Sequence, residues 1–310
     1  MKDRLVCVIG GSGFVGRYVV QALLQKGARL RVVGRDARDG WFLRTQSGLG
    51  QIQFAAGDIR KADSIARAVA GADAVVNLVG VLKGDFQGFH VDGARNVAQA
   101  ATDAGVKALV HISAIGADPH SASAYGRSKG EGESAVRAAF PAATILRPSI
   151  VFGREDQFVN RFADLIRKLP VVPVIRGAVK FQPVYVGDVA KAVVAALDDS
   201  AQFAAKTYDL GGPEILSMAD LNRWIATTIG RAVPLFAMPD KLSDLMVRVT
   251  GSLPGAPMTR DQWLMLQTDN IISGSDGLRA MGITATPLEA VAEGWLVQYR
   301  RHGRFSGKTA

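Results

Sequence analysis

The chain has 310 residues, 48% of them hydrophobic and 21% charged, a composition typical of a globular protein with one large core and a smaller lobe. Its formal net charge is +9, and its single cysteine, Cys7, excludes a disulfide framework and indicates a reducing compartment. No apolar run has the length of a transmembrane segment and no signal peptide is recognisable. We therefore expect a cytoplasmic protein, and any contact that it makes with a membrane must be peripheral.

Two classes of site are not expected. The sequence shows no nucleic-acid-binding module, so nucleic acid is not an expected partner of the positive charge. One cysteine and four scattered histidines do not form a metal-ligand pattern, so no metal site is expected either. The simplest interpretation of His90 and His111 is that of core or surface residues.

A glycine-rich turn follows the first apolar strand, which is predicted over residues 6–9. The turn has the spacing Gly-x-x-Gly-x-x-Gly and leads into a helix predicted over residues 18–26. Gly10 permits a tight turn, Gly13 lets the backbone approach a pyrophosphate, and Gly16 lets the helix pack against the strand. The phosphates would lie on the helix's free N–H groups and positive dipole end. The predicted dinucleotide-binding loop consists of Gly10, Gly11, Ser12, Gly13, Phe14, Val15, Gly16 and Arg17.

The end of the second predicted strand indicates which dinucleotide is bound. Gly34 and Arg35 occupy the position where NAD-binding proteins usually carry an acid for the ribose 2′-hydroxyl. A guanidinium suits a 2′-phosphate, which it grips through a planar fork of donors, and Arg17 could assist. We therefore expect a preference for NADP(H). NAD(H) stays possible, with Asp36 binding the ribose and Arg35 solvated in a loop.

Strands and helices then alternate along the chain. Strands are predicted over residues 51–55, 74–78, 108–113 and 143–147, and helices over residues 64–70 and 91–104. This alternation predicts an α/β fold with a doubly wound parallel sheet, the Rossmann fold. Ligands of such sheets bind at the carboxyl ends of the strands. Asp58 and Ile59 are therefore expected at the adenine, and a second turn is expected near the ribose, formed by Asn77, Leu78, Val79 and Gly80.

Beyond the sixth predicted strand the alternation becomes irregular, and proline and glycine become frequent. Amphipathic segments over residues 219–229 and 242–250 predict a smaller, mostly helical C-terminal lobe. The expected parts are a dinucleotide-binding domain over 1–150 with sheet additions from 181–212, a substrate or docking lobe over 151–298, and a basic, flexible tail over 299–310. Anionic partners would attract that tail.

A tyrosine and a lysine have a spacing that suits acid–base chemistry. Tyr125 and Lys129 are four residues apart, so they share one face of a predicted helix. An ammonium beside a phenol favours the phenolate, so we expect Lys129 to lower the pKa of Tyr125 and make it a general acid or base near neutral pH. Ser113 lies at the carboxyl end of the fifth predicted strand and could orient a carbonyl oxygen beside the phenol. Ser121 and Ser123 are alternatives for that role.

Several of these motifs together resemble the extended or atypical short-chain dehydrogenase/reductase superfamily. They are the glycine loop, Gly57-Asp58-Ile59, Asn77-Leu78-Val79-Gly80, Tyr125-Gly126-Arg127-Ser128-Lys129 and Arg147-Pro148-Ser149-Ile150-Val151-Phe152-Gly153. The resemblance implies that Ser113, Tyr125 and Lys129 form the hydride-transfer constellation, with Lys129 also bonding the nicotinamide ribose. Further contacts to the cofactor are implied for Tyr125, Pro148, Ser149 and Ile150. His90 departs from the pattern, because the family has an asparagine at this position.

Three further segments resemble the NADPH-binding accessory subunit family of respiratory complex I and its bacterial relatives. They are residues 152–162, residues 182–189, and residues 259–261 followed by 268–270. The resemblance implies tightly held NADPH in a structural or regulatory role, and docking onto complex I or another membrane-associated assembly. The basic tail and the apolar faces at 242–249 and 263–266 are candidate docking surfaces, although core packing is an alternative for the apolar ones.

Enzymatic activity stays open from the sequence. The alternative function is an active NADPH-dependent oxidoreductase that reduces a hydrophobic carbonyl or quinone-like small molecule. In that function Tyr125 acts as the general acid and protonates the developing alkoxide.

Overall fold

The protein is described here by a computed structural model that covers residues 1–251, 258–301 and 303–305. Part of the predicted basic tail, residues 302 and 306–310, lies outside the described residues. The chain forms two compact units. The first unit comprises Met1–Pro148, Val186–Leu210 and Gly274–Thr284, and the second comprises Ser149–Tyr185, Gly211–Ser273 and Ala285–Ala310.

The described strands are β1 (Leu5–Ile9), β2 (Arg29–Gly34), β3 (Ile52–Ala56), β4 (Ala74–Asn77), β5 (Ala108–Ile112), β6 (Thr144–Pro148), β7 (Val151–Phe152), β8 (Val172–Ile175), β9 (Lys180–Phe181), β10 (Val184–Tyr185), β11 (Thr207–Leu210), β12 (Leu216–Ser217) and β13 (Leu235–Met238). The described α-helices are α1 (Phe14–Gln25), α2 (Ala62–Val69), α3 (Gly93–Asp103), α4 (Ala124–Ala139), α5 (Val159–Lys168), α6 (Val186–Asp198), α7 (Ser200–Phe203), α8 (Met218–Thr228), α9 (Asp240–Thr250), α10 (Arg260–Met265), α11 (Gly277–Ala280) and α12 (Leu288–Leu296). A 3₁₀ segment spans Ala37–Gln46, and a π-helical segment, Gln87–Asp92, directly precedes α3.

The first unit is built on a seven-stranded sheet with the strand order β11-β6-β5-β4-β1-β2-β3. All neighbouring strands run parallel, with Val8 of β1 paired to Val32 of β2 on one side and to Val76 of β4 on the other. The chain direction across the sheet reverses between β1 and β4, which is the switch point where such sheets bind ligands. The predicted doubly wound α/β fold is confirmed.

The core of the first unit explains why its strands are almost continuously apolar. A sheet covered by helices on both faces buries both sides of each strand. Cys7 belongs to this core: its Sγ lies 3.4 Å from the carbonyl oxygen of Ala68, and burial raises the pKa of the thiol to about 12. It is an inert packing residue.

The helix after the glycine turn begins at Phe14, four residues earlier than predicted. The reason is the close approach of Gly16 to the turn. A Cβ at Gly16 would lie 2.3 Å from the carbonyl oxygen of Gly10. Because no side chain occupies that space, the first helical turn packs directly on the loop, and Gly13 becomes the N-cap.

The second unit is mostly helical, with short two-stranded pairings β7–β10, β8–β13 and β9–β12. Helices α5, α8 and α12 contribute to an apolar cluster that contains the fully buried Phe152. The Asp156 carboxylate organises the start of α5 by accepting hydrogen bonds from four backbone N–H groups, those of Gly153, Phe158, Val159 and Asn160. No helix among the described residues is both long and apolar enough to span a membrane.

Candidate functional site

The glycine loop has the geometry of an anion cradle. Gly10 lies in the left-handed region, with φ of +83°, and its N–H donates to the carbonyl oxygen of Val33. The start of α1 has no side-chain cap and no acidic residue in its first turn. The positive end of the helix dipole therefore faces the loop without a protein anion to neutralise it.

The end of β2 next to this loop is rich in arginine. Asp36 is already engaged: its carboxylate accepts from the Arg38 backbone N–H at 2.9 Å and forms an ion pair with the Arg38 guanidinium at 2.6 Å. These bonds hold the pKa of Asp36 at about 2. The Arg17 guanidinium lies 5.0 Å from the centre of the Phe42 ring, whereas the exposed Arg35 has no ion-pair partner among the described residues.

The residues expected at the adenine have structural partners of their own. The Asp58 carboxylate forms an ion pair with Arg60 at 2.7 Å and accepts from the backbone N–H of the same residue, which holds its pKa at about 2. Ile59 is buried in the core and packs against Gly93. The Gly57 N–H donates to the Gly34 carbonyl oxygen at 2.8 Å, which ties this turn to the end of β2.

The turn after β4 lies against the glycine loop. A Cβ at Gly10 would be 3.3 Å from Val79 and 3.5 Å from Leu78. The buried Asn77 shapes the turn, because its Oδ1 accepts from the Val79 N–H at 3.1 Å and its Nδ2 lies 3.2 Å from His111 Nδ1. Burial holds the pKa of His111 well below its usual value, so this histidine is neutral and acts as a core partner of Asn77.

The end of β5 and the start of α4 bring two of the predicted catalytic residues together. The Lys129 Nζ donates to the carbonyl oxygen of Ile112 at 2.9 Å, beside Ser113. Ser113 is 4% exposed, and no described residue forms a hydrogen bond with its hydroxyl. The hydroxyl groups of Ser121 and Ser123 instead accept backbone N–H groups at the start of α4. Of the three serines, Ser113 is the one whose hydroxyl has no hydrogen-bond partner among the described residues.

The prediction that Lys129 lowers the pKa of Tyr125 was wrong. Burial raises the pKa of Tyr125 to about 12. Burial also lowers the pKa of Lys129 to about 8, partly opposed by the nearby Glu133 carboxylate. The physical reason is that burial dominates at the phenol, while the ammonium is held at the Ile112 carbonyl. Tyr125 is therefore protonated at neutral pH, which suits a hydrogen-bond donor or general acid.

A buried ion pair that the sequence analysis missed anchors α4. Glu133 accepts two hydrogen bonds from Arg147 of β6, each at 2.7 Å. Tyr125, Lys129 and Glu133 follow one another at intervals of four residues, so one face of α4 carries all three. The sequence signal that could have revealed this pair was the four-residue spacing on α4, together with Arg147 near the end of an apolar strand.

The remaining predicted cofactor residues lie at the end of β6 and directly after it. The carbonyl oxygen of Pro148 accepts from the Ile115 N–H at 3.1 Å within the first unit. Ser149 and Ile150 belong to the second unit, where both donate to the Asn270 side chain, at 2.7 Å and 3.2 Å. Asn270 is the last residue of a segment that the sequence analysis singled out, and here it fixes the backbone after β6.

The residues of the first unit fit a nicotinamide dinucleotide. The fit rests on the side-chain-free cradle at Gly10, Gly13 and Gly16 and on the buried, unpartnered hydroxyl of Ser113. Among the described residues, no group of three or more His, Cys, Asp or Glu side chains could hold a metal ion. Fold and site together define a dinucleotide-binding protein of the short-chain dehydrogenase/reductase type.

Comparison with known proteins gives the family. A model described as "NAD dependent epimerase/dehydratase family" matches residues 6–211, and the chain belongs to this family. It is 36% identical over 291 residues to "NADH dehydrogenase [ubiquinone] 1 alpha subcomplex subunit 9, mitochondrial" of Mus musculus, covering 91% of this chain and 77% of that protein.

The chain is also similar to one further relative and to one solved structure. The chain is 34% identical over 262 residues to a ceramide reductase of Caulobacter vibrioides, covering 81% of this chain and 78% of that protein. The structure of a Citrobacter sp. triphenylmethane reductase complexed with NADP(H) superposes with a TM-score of 0.75 at 20% identity, covering 94% of this chain and 99% of that one. This last likeness shows the fold.

Proposed function

We propose that the chain is a cofactor-bearing accessory subunit of respiratory complex I or of another membrane-associated assembly. The observation that carries the proposal is the combination of an open glycine cradle with similarity, along most of the chain, to a subunit of NADH dehydrogenase (ubiquinone). In this role a bound dinucleotide stabilises the first unit by mass action, because it binds only the folded state. The protein would lie peripherally on the cytoplasmic face of the inner membrane.

The proposal includes a preference for NADP(H) over NAD(H). Its support is the charge at the end of β2, where Arg35 is exposed and unpaired among the described residues while Asp36 is committed to Arg38. An arginine fork matches a 2′-phosphate, whereas a ribose 2′-hydroxyl would have to compete with Arg38 for the Asp36 carboxylate.

The second unit offers an apolar docking face on α9. Leu242, Leu245 and Val249 are 50%, 58% and 68% exposed. Their spacing of three and four residues places them on one side of the helix, and Val247 on the other side is buried. Exposed apolar groups of this size on one face are typical of a protein interaction site.

The first experiment is to solubilise native membranes gently, resolve the complexes by size and locate this chain by mass spectrometry. Co-migration with NADH:quinone oxidoreductase activity that survives a salt wash is the expected result. Migration as a free small protein would contradict the accessory role.

A second candidate function is reduction of a hydrophobic carbonyl or quinone-like molecule, and Tyr125, which is protonated at neutral pH and precedes Lys129 by about one turn of α4, favours it. One relative is named as a reductase of a lipid, ceramide. When bound, NADPH supplies the hydride. The Ser113 hydroxyl would orient the carbonyl oxygen, Tyr125 would give its phenolic proton to that oxygen, and Lys129 would hold the nicotinamide ribose.

Tyr125→Phe separates the two functions. The accessory role predicts unchanged NADPH affinity, unchanged Tm and unchanged co-migration, because the variant keeps the ring and removes only the proton donor. The reductase role predicts a loss of about a hundredfold or more in NADPH oxidation with decylubiquinone or a long-chain 2-ketone, the usual scale for a lost general acid. Thr45→Val, which removes an exposed hydroxyl in the 37–46 segment, is the control.

A further inference from the structure

His90 is a buried titratable group that the proposed function does not use. It lies in the π-helical segment Gln87–Asp92 and is 2% exposed. Its ring stacks on Phe86 with centroids 5.4 Å apart and meets the Tyr125 ring edge-on at 5.5 Å. A π-helical turn is uncommon and occurs often at functional sites, so its coincidence with a buried histidine beside Tyr125 needs an explanation.

Both ring nitrogens of His90 are engaged, and their partners fix the tautomer. The backbone N–H of Val81 donates to Nε2 at 3.0 Å, so Nε2 carries no proton. The proton is therefore on Nδ1, which donates to the Ser128 hydroxyl at 2.9 Å. That hydroxyl in turn donates to the carbonyl oxygen of Tyr125 at 2.9 Å. A chain of three hydrogen bonds thus joins the turn after β4 to the first turns of α4.

These three hydrogen bonds require a neutral imidazole, since a protonated ring has no acceptor for the Val81 N–H. Burial and the neighbouring Lys129 ammonium lower the pKa of His90 to about 4, so the ring is neutral at physiological pH. Gly80 lies next to both groups: a Cβ built there would be 3.8 Å from His90 Nε2 and 4.0 Å from Lys129 Nζ. The segment held by His90 is therefore the one that borders Lys129.

We propose that His90 is a positioning residue that holds the Gly80–Val81 backbone against helix α4 and so sets the width of the site where the nicotinamide ribose lies. This inference rests on the proposed binding of NADP(H). The adenine half of the cofactor lies at the ends of β2 and β3 in the same proposal, away from these hydrogen bonds. The hydrogen bonds of His90 reach the Gly80–Val81 backbone beside Lys129, so we expect the loss of His90 to weaken binding of the nicotinamide half more than binding of the adenine half.

The test compares two ligands on the full chain. NADPH contains both halves of the cofactor, whereas adenosine 2′,5′-bisphosphate contains only the adenine half. His90→Phe keeps the stacked ring and removes both hydrogen bonds, so we expect NADPH to bind about tenfold more weakly and adenosine 2′,5′-bisphosphate to bind within twofold of wild type. His90→Gln keeps an acceptor and a donor and is expected to recover part of the NADPH affinity.

Two further variants complete the binding test. Val97→Ala truncates a buried residue of α3 in the same unit, and it reports the effect of lost stability on both ligands. Ser128→Ala breaks the hydrogen-bond chain while leaving the His90 ring in place, and it is used if His90→Phe does not fold. Ser128→Ala should weaken NADPH binding about threefold without changing the binding of adenosine 2′,5′-bisphosphate.

The results that would overturn the positioning role of His90 differ from the result that would overturn the proposed function. Wild-type NADPH affinity in both His90→Phe and Ser128→Ala would overturn the positioning role alone. If His90→Phe weakens the binding of both ligands equally, and Val97→Ala has the same effect, His90 contributes only to the stability of the core. Absence of NADPH binding by the wild-type chain would overturn the proposed function, and the inference with it.

Discussion

Arg35 and Asp36 follow β2 directly, and their side chains differ in whether they have a partner. Asp36 caps the 3₁₀ segment through the Arg38 N–H and pairs with the Arg38 guanidinium. Arg35 is left exposed beside the glycine loop. In the proposed function, this unpaired charge sets the preference between two cofactors that differ by a single phosphate.

Arg35→Asp should reverse that choice. The substitution replaces a cation by an anion where the 2′-phosphate is expected, so NADPH affinity should fall at least tenfold and NADH affinity should stay equal or rise. Fluorescence titration with each nucleotide measures both. Arg29→Asp makes the same charge change at the amino end of the same strand and should leave both affinities unchanged. Unchanged NADPH affinity in Arg35→Asp would refute the assignment.

At the scale of the element, α4 is held to the sheet by its polar face. Glu133 is buried, and its two hydrogen bonds with Arg147 connect the helix to β6. An ion pair in this setting contributes little over a matched apolar pair, but removal of one partner leaves a buried charge without compensation. The pair therefore specifies where Tyr125 and Lys129 lie along the sheet.

A double-mutant cycle tests this anchor. Glu133→Gln and Arg147→Met should each lower the free energy of unfolding, Arg147→Met by about 3 kcal/mol because it leaves the buried Glu133 carboxylate without its partner, and the double variant should lose less than the sum of the two. Urea unfolding of the three variants supplies the values. Additive losses would show that the two side chains contribute independently and that the pair does not anchor α4.

At the scale of the whole molecule, the accessory role requires a surface that is separate from the cofactor site. The exposed apolar face of α9 belongs to the second unit, whereas the glycine cradle belongs to the first. Cofactor binding and docking should therefore respond to different substitutions.

Leu245→Glu should abolish co-migration with NADH:quinone oxidoreductase activity and leave NADPH affinity and Tm unchanged, because it charges an exposed side chain of the docking face. Leu49→Glu makes the same change at a fully exposed leucine of the first unit and should have no effect on co-migration. The measurement is native size separation of solubilised membranes from cells that carry each variant. Normal co-migration of Leu245→Glu would exclude this face of α9 as the docking surface.

The sequence by itself determined the local features of the fold and site. The glycine spacing, the alternation of strands and helices and the Tyr125–Lys129 interval depend on backbone sterics and on helical and strand periodicity, which operate over a few residues. These features predicted the parallel sheet and the dinucleotide loop, and the family was indicated by the resemblance of the motifs to a known superfamily. Arg35 was also identified locally, because it directly follows a predicted strand.

Only the tertiary structure decided which groups are buried and what they bond. It joins residues 274–284 to the first unit, pairs Asp36 with Arg38, pairs Glu133 with Arg147 and keeps Tyr125 protonated. His90 was read as a core or surface histidine because its partners, Val81 and Ser128, are separated from it in sequence. Burial and long-range hydrogen bonds arise from the packing of distant segments, and no local pattern encodes them.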